Sequence, residues 1–550
     1  MKRTAFLFLF LLNSAIAFSA GSFRLTTTWN HNNVALLGAS KINVDDQMVV
    51  NHNNNNKKGD ENDPLDASSG FSRRQLFQSG MTAVTTAASL SPFFHATPAN
   101  ALVPQKVPTP PYDRNLYWPT GKVAFSLLPL AGTSSRRATV QQEVVKDTIW
   151  THDQIQGIVN VNVPVRQTVI RLSEGGLWVH NPVAPTPQLI QMMRELEAKY
   201  GPVQHIVLGT VALEHKATLG AFASYFPKAT VWIQPGQWSF PVQVPIELYG
   251  LVQRGARLRE LPVPGRPVTQ SRYARFAARD PVPSWTSDID YEVLGPFQFK
   301  SVGGFSETAF YHKSTKSLIV TDTVCSVTAD PPAIIAEDPR ALLFHARNKA
   351  TDAVEDTAET RRRGWRRMVQ FGLVFFPGQI RVSSVRQALD DARHVPADLA
   401  NLGQDAVPGK LYPWSWPDDT SDQVNFDAIS QGGKLFCPPI LTKLILDREP
   451  DATLAWVDRV VHRFPQTQRV LACHLNGNVQ ANIRDFSRAF DPLRSRPGNL
   501  VPQRALAEDL ALLQKASDVL TRFNVVAPSL VCDGEPARVQ GRFASSSSSK

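Results

Sequence analysis

Between residues 156 and 172 apolar and polar positions alternate, first in QGIVNVNVPV and then in QTVIRL, and this alternation predicts strands. KVAFSLLPL, from 122 to 130, predicts another just before them. SEGG at 173–176 has the turn chemistry for a hairpin into LWVH. The period then changes. Thr186 and Pro187 form an N-cap and first helical position, Leu189, Ile190, Met193 and Leu196 make one apolar stripe, and Gly201 stops the helix. HIVLGT at 205–210 reads as a strand, LGAFASYF as the end of a helix and ATVWIQP as a strand, an alternation that implies parallel pairing. After a polar, proline-broken surface stretch at 243–285, the strands EVLGPFQF, ETAFYH and SLIVTD follow.

Residues 331–434 lose the strand period. They hold helical patches (ALLFHARNK, ETRRRGWRRMVQFG) and a Pro/Gly/Trp-rich stretch, and read as an insertion. The earlier plan resumes with DATLAWVDRVVHRF as an amphipathic helix, QRVLACHL as a strand and GNVQANIRDFSRAF as a helix. A last helix over 505–523, with Leu506, Leu510, Leu513 and Leu520 on one face, precedes a disordered SSSSSK tail. The pattern predicts an α/β chain of αββα type with a helical, irregular insertion and a C-terminal helix.

The first hundred residues follow different rules. Residues 1–17 join Lys2 and Arg3 to an apolar run and end in Ala15-Ile16-Ala17, the anatomy of a cleavable secretory signal. Phe18 and the Asn/Ser/Thr-rich residues 18–70 resemble the signal-plus-transit leader of algae with complex plastids, and their composition does not support folding. Residues 71–101 contain Arg73 and Arg74, a mildly apolar run and Ala99-Asn100-Ala101, which resembles a twin-arginine lumenal transfer segment. The expected address is therefore the plastid, in the thylakoid lumen, reached through the secretory route. The mature chain begins near Leu102 with a proline-rich, extended lead-in. It comprises 102–330 and 435–495 as two parts of one domain, 331–434 as the insertion, and 496–550 as the last helix and tail.

The formal charge of +10 shrinks on inspection: eight Lys/Arg and six Asp/Glu lie in residues 1–101, leaving 50 basic and 42 acidic side chains to the remainder. That surplus is mild, and no basic groove interleaved with aromatics accompanies it, so nucleic acid is not an expected partner. Beyond the leader no apolar run is long enough for a transmembrane helix. Four scattered cysteines exclude a disulfide framework, although they leave room for one bridge. Arg361, Arg362, Arg363, Arg366 and Arg367 surround Trp365; this run is either a solvated helix face or a peripheral contact to an anionic surface.

The candidate chemistry lies at strand ends. His215, Asp322 and His474 each follow an apolar strand closely, and Glu214 and Glu307 stand nearby. The run from Thr210 to His215 resembles the H-x-H-x-D-H corner of metallo-β-lactamase-like proteins, with Thr210, Ala212, Glu214 and His215 at the ligand places and Phe305 where a middle histidine belongs. Together with the HN-P-x-x-PT segment at 180–186, the chain resembles a metallo-β-lactamase-like family of plastids and cyanobacteria known as domain of unknown function 4336. The resemblance implies an αββα sandwich, metal ligands at His215, Asp322 and His474, a base or completing ligand at Glu214 or Glu307, and His180 as an additional candidate. One divalent metal, zinc, manganese or iron, suits that set, and the substitutions argue against a binuclear site. Two functions compete. The first is a metal-dependent hydrolase of an ester, thioester or phosphoester with a small-molecule substrate. The second is an inactive scaffold without metal that binds a lumenal protein complex.

Overall fold

Alternate residues of each central strand are buried on opposite sides, which gives two stacked sheets with helices on both outer faces. The computed structural model describes residues 114–116, 137–158, 160–237, 245–251, 257–263, 282–298, 304–397, 399, 402, 411–417, 421–494, 506–524 and 526–529. The three leader segments, the KVAFSLLPL strand, the serine tail and Cys532 lie outside them, as does nearly all of the lead-in.

The first sheet runs in the order β1 (Val140–Val145), β2 (Ile149–Ile158), β3 (Val161–Arg171), β4 (Leu177–His180), β5 (Val203–Leu208), β6 (Thr230–Ile233), β7 (Leu258–Glu260). Pairing is antiparallel up to β4 and parallel from β4 onward. Helices α1 (Pro187–Tyr200) and α2 (Leu213–Ser224) make the parallel crossovers. Thr186 caps α1 by accepting from the Leu189 amide at 3.2 Å, and Gly201 ends it at a φ of 98°, as the sequence predicts. The second sheet is built from β8 (Ile289–Gln298), β9 (Gly304–His312), β10 (Ser317–Ile319), β13 (Arg469–Leu471) and β14 (Asn478–Gln480), in the order β14-β13-β10-β9-β8.

Trp178, Val207 and Trp232 point from the first sheet into a core shared with Val293, Phe310, Ile319 and Leu471 of the second. Their neighbours Val179, Ile206, Leu208 and Val231 face the other way, onto Leu189 and Met193 of α1 and Leu219 and Phe222 of α2. On the far side Leu318, Val320 and Val470 meet Trp456, Val457 and Val460. This is the αββα sandwich.

Residues 331–434 are helical and irregular: α3 (Ala333–Ala336), α4 (Arg340–Ala346), α5 (Ala358–Val374), a pair of two-residue strands β11 (Arg381–Val382) and β12 (Trp414–Ser415) flanking α6 (Val385–His394), and α7 (Ser421–Ser430). After them come α8 (Pro439–Leu444), α9 (Pro450–Arg463), α10 (Ile483–Arg488), α11 (Asp491–Arg494) and the last helix α12 (Ala507–Arg522).

Three expectations are corrected. The first strand pair turns at Asn160, whose φ is 64°, so QGIVNVNVPV spans a hairpin and β3 runs straight through Pro164. Residues 477–490 are not one helix; Asn478–Gln480 pairs with β13 before α10 begins at an Asn482 capping box. The arginine run is not an open cationic face. Trp365 is buried and donates to the Thr328 carbonyl at 2.9 Å, while Arg367 is buried and donates to the Ala346 and Arg347 carbonyls. Arg361 pairs with Asp356, Arg362 with Asp330, and Arg366 with Asp422 and Glu359. The helix turns this stretch inward because Trp365, Met368 and Val369 share its buried stripe.

Candidate metal centre

At the end of β5 the chain leaves the sheet through Gly209 and Thr210, and α2 begins three residues later. Glu214 and His215 lie in its first turn. Ala212 cannot cap that turn with its side chain, and its own amide donates to Thr210 Oγ1 at 3.1 Å. This corner joins the sheets: the Thr308 amide donates to Gly209 O at 2.8 Å, and Thr210 forms a bridge with Glu307.

Asp322 comes from the turn after β10. Glu307 shapes that turn, accepting from the amides of Thr321 at 2.9 Å, Asp322 at 2.8 Å and Thr323 at 3.1 Å, and from the Thr323 hydroxyl at 2.7 Å. His474 follows β13 and bridges back to Val165 of β3. Arg166 holds this connection, binding Asp153 bidentately and donating to Ala472 O at 2.7 Å. A Cβ at Gly477 would lie 1.4 Å from Arg166 Nη1, so only glycine admits the guanidinium here.

These three corners bring Glu214, His215, Asp322 and His474 together, with one ligand-type atom from each lying within 4.8 Å of all the others. His474 Nε2 is 3.0 Å from Asp322 Oδ1 and 3.2 Å from His215 Nε2. His474 Nδ1 donates to Pro164 O at 2.9 Å, which aims Nε2 into the group. Thr210 Oγ1 reaches Asp322 Oδ2 at 3.4 Å. His215 is fully buried, whereas the His474 and Asp322 side chains keep 18% and 17% of their surface, so solvent reaches the group from one side.

The electrostatics follow from that crowding. Burial pulls the His474 imidazole down, but the hydrogen bond and charge of Asp322 outweigh it and raise the pKa to about 9. Burial and the neighbouring His474 hold His215 neutral, with a pKa of about 3. Burial and Asp322 raise Glu214. Burial would raise Asp322 too, yet the His474 bond and charge keep it below the usual carboxylate range. Spacings near 3 Å among imidazole nitrogens and carboxylate oxygens match tetrahedral ligands at roughly 2.0–2.2 Å from one ion, and the donor types suit a divalent metal. The residues fit such an ion.

Not every expected residue joins the group. Glu214, expected as a base or completing ligand, stands among the four. Glu307, expected in the same role, has both oxygens engaged by the 321–323 turn and acts on Asp322 from behind. His180 is buried beside Trp178 and Phe310, with ring centroids 5.8 and 5.2 Å away, and is held neutral by burial. Next to it, Asn181 donates to Thr321 Oγ1 at 2.9 Å and accepts from the Gly209 amide at 2.9 Å, tying the β4, β5 and β10 ends together. Phe305 lies in the apolar cluster of the second sheet, opposite Phe297. Cys325, Cys437 and Cys473 are free thiols. Lys216 was not among the expected residues; it is buried two residues from Glu214 and pulled down to about 7 by burial. A lysine within an otherwise apolar helix face was its one visible signal.

Two sheets enclosed by helices, with a four-residue ligand group where strand ends meet, define a metallo-β-lactamase-like fold. The chain belongs to the family described as Domain of unknown function (DUF4336), whose model matches residues 146–491. Among solved structures it is similar to a metallo-β-lactamase from Pontibacter korlensis, at 11% identity and a TM-score of 0.26, over 64% of this chain and 99% of that one. It is also similar to the metallo-β-lactamase FIM-1 from Pseudomonas aeruginosa in its mono-zinc form, at 9% identity and a TM-score of 0.26, over 69% and 96%. A fragment of a diflavin flavoprotein from Nostoc sp. PCC 7120 matches at 11% identity and a TM-score of 0.24, over 37% and 75%. No curated protein matches the chain.

Proposed function

We propose that the chain is a mononuclear metal-dependent hydrolase of a small ester, thioester or phosphoester. The observation that carries this reading is the meeting of Glu214, His215, Asp322 and His474, which come from three distant parts of the chain and share no local rule that would collect them. A zinc, manganese or iron ion held there supplies Lewis acidity toward a carbonyl or phosphoryl oxygen and toward water. His215, His474 and Asp322 would hold the ion, with the Asp322 carboxylate offsetting part of its charge. Glu307 and Thr210 orient Asp322, and Pro164 O fixes the ring of His474. Glu214 also lines a cleft beside the group, so its carboxylate is placed to take a proton from water there.

The scaffold reading draws on Thr210, Ala212 and Phe305 at ligand places. The plastid lumen as address draws on the leader alone. Among the described residues no helix is long and apolar enough to cross a membrane.

The test is metal content. Full-length chain purified without chelator should carry close to one equivalent of metal, with a higher melting temperature than the stripped protein, because an ion that binds only the folded state stabilises it. His215→Ala with His474→Ala should lose the metal while keeping the far-ultraviolet dichroism. Metal-free wild type whose melting temperature ignores added zinc, manganese and iron would sink the hydrolase and leave the scaffold.

A further inference from the structure

The segment after β4 reaches every part of the chain that brings a ligand to the metal group, and it does so through one side chain. Asn181 is fully buried and holds a φ of 47°, a left-handed conformation that asparagine and glycine adopt more readily than other residues. Its backbone is anchored on both sides. The Asn181 amide donates to Val207 O at 2.8 Å, and the carbonyl of the next residue, Pro182, accepts from Thr218 Oγ1 of α2 at 2.6 Å. The carboxamide is thereby presented to the ends of β5, β10 and β13.

A carboxamide offers one accepting oxygen and two N–H groups. Here each goes to a different corner of the metal group. Oδ1 accepts from the Gly209 amide at 2.9 Å, Nδ2 donates to Thr321 Oγ1 at 2.9 Å, and Nδ2 donates to Cys473 Sγ at 3.4 Å, the longest of the three because its acceptor is sulfur. These partners lie 28, 140 and 292 positions further along the chain. Thr321 directly precedes Asp322, Cys473 directly precedes His474, and Gly209 opens the corner that leads to Glu214 and His215. The Cys473 amide also donates to Thr321 O at 3.3 Å, so two of the corners meet beside the carboxamide. The first corner packs closely as well: a Cβ at Gly209 would lie 2.5 Å from His180 Nε2, so no side chain fits between it and the residue before Asn181. Glu307 orders the Asp322 turn and Pro164 O the His474 ring, one corner each. The carboxamide sets the three corners against one another.

We propose that Asn181 is a positioning residue of the metal centre: its side chain fixes the distances between the three ligand-bearing corners, and so the coordination geometry, without touching the ion. The inference rests on the metal reading above and adds to it the residue that assembles the ligand set. Ligands delivered by separate segments have to be held to within about 0.5 Å of their working places, and a buried carboxamide with its oxygen and both N–H groups bonded holds each corner only while the other two stay where they are.

The experiment is titration of full-length chain with cobalt(II), read by the visible absorption of the bound ion, whose intensity and wavelength report coordination geometry. Wild type sets the reference affinity and spectrum. Asn181→Gly leaves the backbone free to keep its left-handed φ and removes the carboxamide. It should bind cobalt about 10–100-fold more weakly and with an altered spectrum, at unchanged far-ultraviolet dichroism. A residue that served stability alone would lower the melting temperature and leave the spectrum of the bound ion as it is, so an unaltered spectrum in Asn181→Gly overturns the proposal. Thr321→Val removes one arm and should weaken binding by less. In the Asn181→Gly background it should add almost nothing, because the bond is already gone, and a full additional loss there also overturns the proposal. Should Asn181→Gly not fold, Thr321→Val and Cys473→Ala each take one arm from the folded chain, and an unaltered spectrum in both is the overturning result. A wild type that takes up no cobalt overturns the metal reading itself, whereas a wild type that binds cobalt beside an Asn181→Gly that binds it identically overturns this inference alone.

Discussion

Glu307 determines where Asp322 stands, although no bond joins their side chains. Four donors converge on its carboxylate, three of them backbone amides of consecutive residues, so the turn carrying Asp322 takes its shape from a buried acid. Burial and the charge of Asp322 push that acid up to about 7, and the donors from the turn work against the rise. Glu307→Gln replaces an acceptor oxygen with a donor NH2 facing amides, leaving at least one buried N–H unpaired. The expected cost is about 1–3 kcal/mol of stability, with metal affinity lowered roughly 10–100-fold through the misplaced Asp322. Urea denaturation and metal competition measure the two effects, and unchanged metal affinity would remove Glu307 from any part in the site. The sequence showed a glutamate inside an apolar strand, a sign of a buried carboxylate. Its partners were not legible, because amides 14 to 16 residues further on carry no side-chain signal.

At the scale of elements, legibility followed the strength of local signals. Helix α1 has a capping threonine, a proline and a stopping glycine, and α9 has a clean apolar stripe with Trp456, Val457 and Val460 buried; both match their expected positions. The β2–β3 hairpin was misplaced because its turn residue Asn160 sits inside an unbroken alternation and Pro164 resembles a break. Strand β7 was missed altogether, since three residues in a proline-broken stretch become a strand only by pairing with β6. The pairing of α4 with α5 was equally invisible, and it depends on one residue. A Cβ at Gly364 would lie 1.9 Å from the Leu342 carbonyl oxygen. Gly364→Ala should therefore destabilise the chain by about 1–3 kcal/mol, despite the better helix propensity of alanine, because backbone must move. A melting temperature that rises in this variant would show that the two helices are not locked at that contact.

The whole molecule carries an unusual load of buried imidazole. His152, His180, His215 and His345 are lowered to about 3 by burial, and His205 and His312 to about 4. The unfolded chain protonates these groups near 6.5 while the folded chain resists, so stability falls as pH drops below about 6.5, by up to about 1.4 kcal/mol per pH unit for each histidine. Glu214 and Glu307, raised in the folded state, oppose this trend, but they are two against six. His474 has the reverse sign: raised to about 9, it contributes stability at low pH that is lost as pH rises through that value. The metal-free protein should accordingly show its highest urea midpoint between about pH 6.5 and 9. A midpoint at pH 5 equal to that at pH 7.5 would contradict the assignment of these histidines as neutral.

Strand β10 lies parallel to β13, joining Leu318 to Val470 and Ile319 to Leu471 across all of residues 331–434. While the ribosome is still translating that stretch, β10 has its partner β9 on one side and bare amides and carbonyls on the other, and His474 does not yet exist. The second sheet closes only when the late segment returns, a contact of high order that is slow to form and exposes an edge to other chains meanwhile. The helices of residues 331–434 pack on one another and also on β2 and β3, which are already made when this stretch is translated. His474, which follows β13, can join Glu214, His215 and Asp322 only once that late strand has been made.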